Sequence, residues 1–242
     1  MEIKPFGRSA LQFGYDELKS CPTYVYLLEK KTAFYLLDTF CGSASMAAVL
    51  ERVRAKPEKP LIVINTHSHW DHVWGNCSFP DSRIIAHERC RAILEQDWEE
   101  PFAAYGMQVM GRADKRLPDW SFSERLCFPE DGIELFYSPG HTSDSLSLYD
   151  HEERILYAGD NLEKPLIYVE SPDLAAYIVT LRHYLDLLPQ RITAGHTAEL
   201  TLQDIADTLA YLENLQAGRP VTFECENKRR IHEQNLQTIH AG

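Results

Sequence analysis

LIVINTHSHWDHVWG, residues 61–75, is the stretch from which the rest of this chain is read. Its first four residues are a β-branched apolar run, the signature of a buried strand. The run ends at Asn65-Thr66, and four metal-ligand side chains follow within six residues: His67, His69, Asp71 and His72. Residues at i and i+2 share one side of an extended segment, so His67 and His69 can converge on one ion, while Asp71 and His72 follow a turn and aim elsewhere. One loop can therefore feed two metals. Neutral imidazole nitrogen and carboxylate oxygen suit zinc, and also iron, manganese or nickel. Each ion still needs ligands from farther along the chain.

Three downstream segments supply candidates by the same local pattern. IELFY at 133–137 runs into Pro139-Gly140-His141, RILYA at 154–158 runs into Gly159-Asp160, and RITA at 191–194 runs into Gly195-His196. Each is a short apolar strand ending in glycine and then a ligand-type residue. Glycine permits a tight turn, often with positive φ, that lets the next side chain leave the strand end. With His141, Asp160 and His196 the candidates number seven, which suits two metals sharing one carboxylate.

Outward from these motifs, the chain alternates strand and helix and reads as an α/β protein. Residues 23–28 and 33–37 form a predicted hairpin around Glu29-Lys30-Lys31. A helix is expected over 46–54 with a serine cap, a strand over 83–86, and a helix over 87–96. A hairpin spans 145–157, and helices cover about 173–188 and 202–217, the latter expected to be the final one. Residues 97–128 break this rhythm with Trp98, Phe102, Tyr105, Trp120 and other large side chains lacking a clean period. They read either as a lid that carries substrate-binding rings or as a helical excursion packed in the core. Tyr168 and Glu170, shortly after Asp160, are further candidates for the cleft wall, with a place in a loop or the core as the other reading. The polar segment 219–242 reads as a tail that is helical, docked or partly disordered, and one domain over 1–242 accommodates everything.

The formal charge of −12 argues against nucleic acid as a partner, because phosphate binding needs a basic face. No apolar run reaches the length of a membrane span, and the first twenty residues lack the apolar centre of a secretory signal. Six cysteines without a CxxC pair fit reduced thiols, so the expected location is the cytoplasm. A small-molecule substrate is the expected partner. Oligomeric state is not legible.

Taken in order, THSHWDH, SPGHT, YAGD and AGH resemble the metal motifs of the metallo-β-lactamase fold superfamily, over roughly residues 23–196. The resemblance implies an αβ/βα four-layer sandwich, with two mixed sheets face to face and helices on the outer faces. It also implies that His67, His69 and His141 hold one metal, that Asp71, His72 and His196 hold a second, and that Asp160 bridges them. Asp38, at the end of an early strand, would support the site from behind. The implied cofactor is a pair of divalent ions, zinc first, with iron or manganese as alternatives.

Two such ions acidify a bound water and polarise a substrate oxygen, which points to hydrolysis of a small ester, thioester, lactone or amide, with Asp71 able to orient the water or accept a proton. The segment after His196 is shorter than the helical extension of glyoxalase-II-like thioesterases, and the bridging aspartate departs from the pattern of true β-lactamases. Phosphodiester hydrolysis is one alternative. The other is an oxidoreductase, because persulfide dioxygenases of the superfamily use one iron at the His67, His69, His141 and Asp160 type of position.

Overall fold

Seven strands follow one another in chain order across the first sheet of the computed structural model, which describes residues 1–18 and 21–241. They are β1 (Glu2–Phe6), β2 (Ala10–Tyr15), β3 (Thr23–Glu29), β4 (Phe34–Leu37), β5 (Leu61–Ile64), β6 (Arg83–His87) and β7 (Trp120–Phe122). Pairing is antiparallel from β1 to β4 and parallel from β4 to β7. The second sheet has the order β12-β11-β10-β9-β8, built from β8 (Arg125–Phe128), β9 (Ile133–Tyr137), β10 (Leu146–Asp150), β11 (Ile155–Tyr157) and β12 (Arg191–Thr193). Only its β11–β12 pair is parallel.

The helices are α1 (Ala47–Arg54), α2 (Trp70–Val73), α3 (Glu88–Asp97), α4 (Phe102–Tyr105), α5 (Leu174–Asp186), α6 (Leu202–Gln216) and α7 (Glu226–Ala241). Side-chain alternation along β4 shows how the layers form. Tyr35 and Leu37 join Ile64, Ile85, Leu135 and Leu148 in a core between the two sheets, while Phe34 and Leu36 join Val63 and Val49 of α1 on the outer face. Covered on both faces, such a strand is apolar throughout. The outer face of the second sheet is closed by Leu181 of α5, Leu212 of α6 and Ile231 of α7. The expected four-layer sandwich is therefore present. No helix among the described residues is long and apolar enough to cross a membrane.

The departures from the sequence reading have physical causes. The N-terminal hairpin β1–β2 was not expected, because β1 lies at the sheet margin with most side chains exposed and carries Pro5, so it lacks an apolar signal. The expected serine cap on α1 is not realised: the Ser45 hydroxyl donates to the Gly42 carbonyl and the helix starts after Met46. Helix α6 is followed by another, since the C-terminal segment takes the helical one of its open forms and α7 occupies most of it. Asn235 anchors it by bonding the Val169 amide and the Ile167 carbonyl. Residues 97–128 are divided rather than one unit: α4 follows the end of α3, and β7 and β8 then carry the chain from one sheet to the other.

Candidate metal centre

Strand β5 delivers the ligand loop, and the backbone changes character at His69. That residue is extended (φ −64°, ψ 145°) and immediately precedes α2, which carries Asp71 and His72. His69 is thus extended, His67 lies in the bend before it, and Asp71 and His72 follow on a helical turn. His141, Asp160 and His196 arrive from the ends of β9, β11 and β12. Two groups of donor atoms result, each within 4.8 Å: His67, His69, His141 and Asp160, then Asp71, His72 and His196. Asp160 Oδ2 stands between them, 3.0 Å from His196 Nε2, 3.3 Å from His72 Nε2, 3.7 Å from His67 Nε2 and 4.0 Å from His141 Nε2. Asp71 Oδ2 lies 3.5 Å from His196 Nε2 and 3.7 Å from His72 Nε2.

Each imidazole is held through one nitrogen, which leaves the other for the centre. His72 Nδ1 donates to Asp38 Oδ2 at 2.8 Å, and Asp38 also accepts the Thr66 amide and hydroxyl. His141 Nδ1 donates to the Tyr168 carbonyl at 2.8 Å, and its amide donates to Asn161 Oδ1. His69 is turned the other way: Nε2 contacts Glu170 Oε2 at 3.0 Å, and Nδ1 lies 3.3 Å from His141 Nε2. His196 Nδ1 sits 3.1 Å from the Pro22 carbonyl. Outer partners of this kind fix ring tautomer and direction. Asp38 itself is held at φ +61°, a left-handed conformation that aspartate tolerates better than most residues.

What remains unpaired is informative. His67 Nε2, His72 Nε2 and Asp160 Oδ1 are buried without a hydrogen-bond partner. Leaving such atoms unsatisfied costs about 1–3 kcal/mol each, so three at one point mark a place built for something that binds there. All are nitrogen or oxygen donors, which fits divalent metal ions.

The electrostatics divide the histidines. Burial and the neighbouring rings hold His67 well below the ordinary imidazole range, and burial also lowers His141, which keeps both neutral and ready to ligate. For His72 and His196 burial opposes charge, but Asp160 and Asp71, joined by Asp38 at His72 and by Cys21 at His196, together outweigh it and hold both well above that range. Burial likewise resists ionisation of Asp160, yet the surrounding rings keep it well below the carboxylate range. Glu163, absent from the sequence candidates, lines the same cleft and is pushed up to about 7 by burial. Glu170 goes the other way, to about 2, because its contact with His69 overcomes partial burial.

The three glycines do not share one role. Only Gly159 has positive φ, at 56°. Gly140 and Gly195 serve close approach: a Cβ on Gly140 would press against Tyr177 at 2.5 Å, and one on Gly195 would fall on Asp160 Oδ1 and 2.8 Å from His72 Cε1.

Two cavities flank the centre and share His69, Trp70, Tyr105 and Glu170 as a common wall. The metal-side cleft, about 760 Å³, includes Tyr168, Glu163 and Arg230 of α7. The outer cavity, about 600 Å³, takes in Trp98 as well as Trp70. Of the rings singled out from sequence, Tyr105 lines both spaces, Tyr168 the first and Trp98 the second, although Trp98 is only 3% exposed and also packs in the core. Phe102 stacks on Trp74 at 4.3 Å, behind the wall. The expectation for Trp120 is corrected: β7 sets it at a sheet edge against Phe128, outside the lining of either cavity. The wall residue Trp70 was missed because nothing local to WDH says that its ring would stack on Tyr105, thirty-five positions on.

Because Glu170 holds the one histidine that turns Nδ1 toward the centre, Glu170→Ala should weaken metal affinity about 10–100-fold. Glu170→Gln should recover part of the loss, since its amide oxygen can accept the same Nε2–H. Chelator competition measures both, and an alanine variant with unchanged affinity would show the contact to be incidental.

Comparison with known proteins places this geometry. The chain is 26% identical over 162 residues to an N-acyl homoserine lactonase of Bacillus cereus, covering 57% of this chain and 61% of the relative. It is 23% identical over 161 residues to an acyl-coenzyme A thioesterase of Gallus gallus, covering 57% of each. The match thus spans somewhat over half the length of these curated relatives. Among solved structures, a metallo-beta-lactamase from Pontibacter korlensis superposes with a TM-score of 0.69 at 17% identity, covering 88% of this chain and 99% of that one, a likeness of fold. The sequence model of the metallo-beta-lactamase superfamily matches residues 18–200, a span that holds all seven candidate ligands, and the chain belongs to that superfamily.

Proposed function

We propose that this chain is a dinuclear metal-dependent hydrolase of a small ester, thioester, lactone or amide. The observation that carries the reading is the position of Asp160 Oδ2 within 4.0 Å of ligand nitrogens from both donor groups, with unpaired buried donors around it. In this reading His67, His69 and His141 hold one ion, Asp71, His72 and His196 the other, and Asp160 touches both. When bound, such a pair supplies an acidified water and a centre that draws charge from a substrate oxygen.

The protein's own part is arrangement and proton handling. Asp38, Glu170 and the Tyr168 carbonyl fix the rings of His72, His69 and His141 so that the donor set is formed before substrate arrives. Asp71, 7% exposed and close to His196, is placed to accept a proton in the cleft. The stacked Trp70–Tyr105 pair forms an apolar boundary for the substrate. Relatives named as a lactonase and a thioesterase agree with acyl transfer to water. Six free cysteines suit a reducing compartment.

The test is elemental analysis of freshly purified protein, followed by stripping with a chelator and readdition of zinc or manganese. About two ions per chain are expected, with hydrolysis of an ester, thioester and lactone panel lost on stripping and restored on readdition. Turnover unchanged after verified removal would defeat the proposal. One iron per chain with oxygen consumption on glutathione persulfide would instead assign the dioxygenase chemistry, and activity confined to phosphodiesters would replace the substrate class.

A further inference from the structure

The outer cavity differs in charge from the other large cavities of the molecule. The metal-side cleft carries Arg230, a groove under α6 carries Lys164 and Lys228, and a third beside α1 carries Arg54 and Arg112. Neither lysine nor arginine lines the outer cavity, whose wall instead includes the carboxylates of Asp97, Glu100 and Asp144. Asp97 and Glu100, from the end of α3 and the turn after it, have no ion-pair partner among the described residues, where the ion pairs involve other carboxylates. Asp144 is 1% exposed; its Oδ2 accepts the Ser68 amide, and its Oδ1 has no hydrogen-bond partner. That oxygen is inaccessible, so the wall carboxylates open to a ligand are Asp97 and Glu100.

The remaining wall is aromatic, formed by Trp70, Trp98 and Tyr105. The protein's own lysines and arginines make their ring contacts elsewhere among the described residues, over Phe34, Tyr137, Phe6 and Phe223. Aromatic faces attract a cation through the ring quadrupole, nearby carboxylates add to that attraction, and a cation with an apolar body loses little hydration on entering. A neutral acyl chain would use the rings but not the charge, and an anion would be repelled. From the absence of lysine and arginine, the unpaired carboxylates of Asp97 and Glu100 and the aromatic wall together, we propose that the outer cavity binds an apolar cation, an alkyl- or arylammonium group, as the recognition arm of the substrate whose scissile bond lies at the metals. Its meaning as substrate specificity rests on the hydrolase reading; the binding itself does not.

The first experiment is therefore binding to metal-loaded protein, followed by calorimetry or tryptophan fluorescence. The probes are benzyltrimethylammonium and its neutral carbon isostere neopentylbenzene. The cation should bind about tenfold more tightly than the isostere, a preference of the size that ring faces and partly buried carboxylates provide. The double variant Asp97→Asn with Glu100→Gln keeps size and polarity at two solvent-facing positions, and it should cut the preference severalfold, to what the rings alone provide, while leaving neopentylbenzene affinity unchanged. Equal affinity for the two probes, binding of neither, or a preference undiminished by the double substitution would overturn the inference.

Hydrolysis is compared separately, using acetylthiocholine and 3,3-dimethylbutyl thioacetate. A lower KM for the cationic thioester, lost in the double variant, supports the recognition role. Metal-dependent hydrolysis with no such difference overturns that role and leaves the hydrolase reading intact. If no ester, thioester, lactone or amide is turned over but the cation still binds selectively, the hydrolase reading fails while the cavity assignment stands.

Discussion

Asp160→Asn should leave a folded chain that no longer retains two metal ions and hydrolyses its substrate at least about 10³-fold more slowly. The substitution keeps the shape of the side chain but replaces a carboxylate oxygen that faces four histidine nitrogens between 3.0 and 4.0 Å away. A neutral amide is a weaker donor to a divalent ion and cannot serve two ions with the same charge. The size of the effect follows from the several kcal/mol of transition-state stabilisation that a correctly held metal provides, at about 1.36 kcal/mol per factor of ten in rate. Metal per chain after gel filtration and kcat/KM on the best substrate of the panel measure the two consequences independently. Two ions per chain with unchanged turnover would remove Asp160 from the centre of the proposed mechanism. One ion with a partial loss would leave it as a ligand of a single metal.

The sequence was most legible where a residue's neighbours in the chain determine its environment. Strands β4 and β5 are covered on both faces and read as unbroken apolar runs, whereas β1 and β7 lie at the margins of the first sheet and carry mixed, mostly exposed side chains. The same division holds around the ligand cluster. His67 to His72 are gathered by one loop and the other three candidates each follow a glycine at a strand end, so local pattern was enough to single them out. Glu163, Trp70 and Arg230 acquire their roles only when distant segments meet, and no local spacing marks them. Trp120 fails for the complementary reason. Residue type suggested a pocket ring, but its position on an edge strand decided otherwise.

The glycines show where the right positions were found for an incomplete reason, and they lead to the second large effect. Gly195→Ala should cost most of the metal affinity, about 10²-fold or more, while the sandwich still forms. At Gly195 the backbone is not in the left-handed region, so alanine has no intrinsic conformational penalty there. The obstacle is space: an added methyl would overlap Asp160 Oδ1 and press on His72 Cε1 at 2.8 Å. Both are packed and nearly inaccessible, so relief requires moving the carboxylate or the ring, and overpacking of this kind typically costs about 1–3 kcal/mol. Moving either one misplaces a proposed ligand, which is why affinity for metal should fall further than stability. Gly106→Ala is the matching control, since its added methyl would meet only Phe102 atoms at 3.9 Å, ordinary contact. Circular dichroism on heating and chelator competition separate the two effects. If Gly195→Ala binds metal as tightly as the unsubstituted chain, the loop after β12 has room that this structure does not contain, and the assignment of His196 and Asp160 to one centre loses its geometric basis.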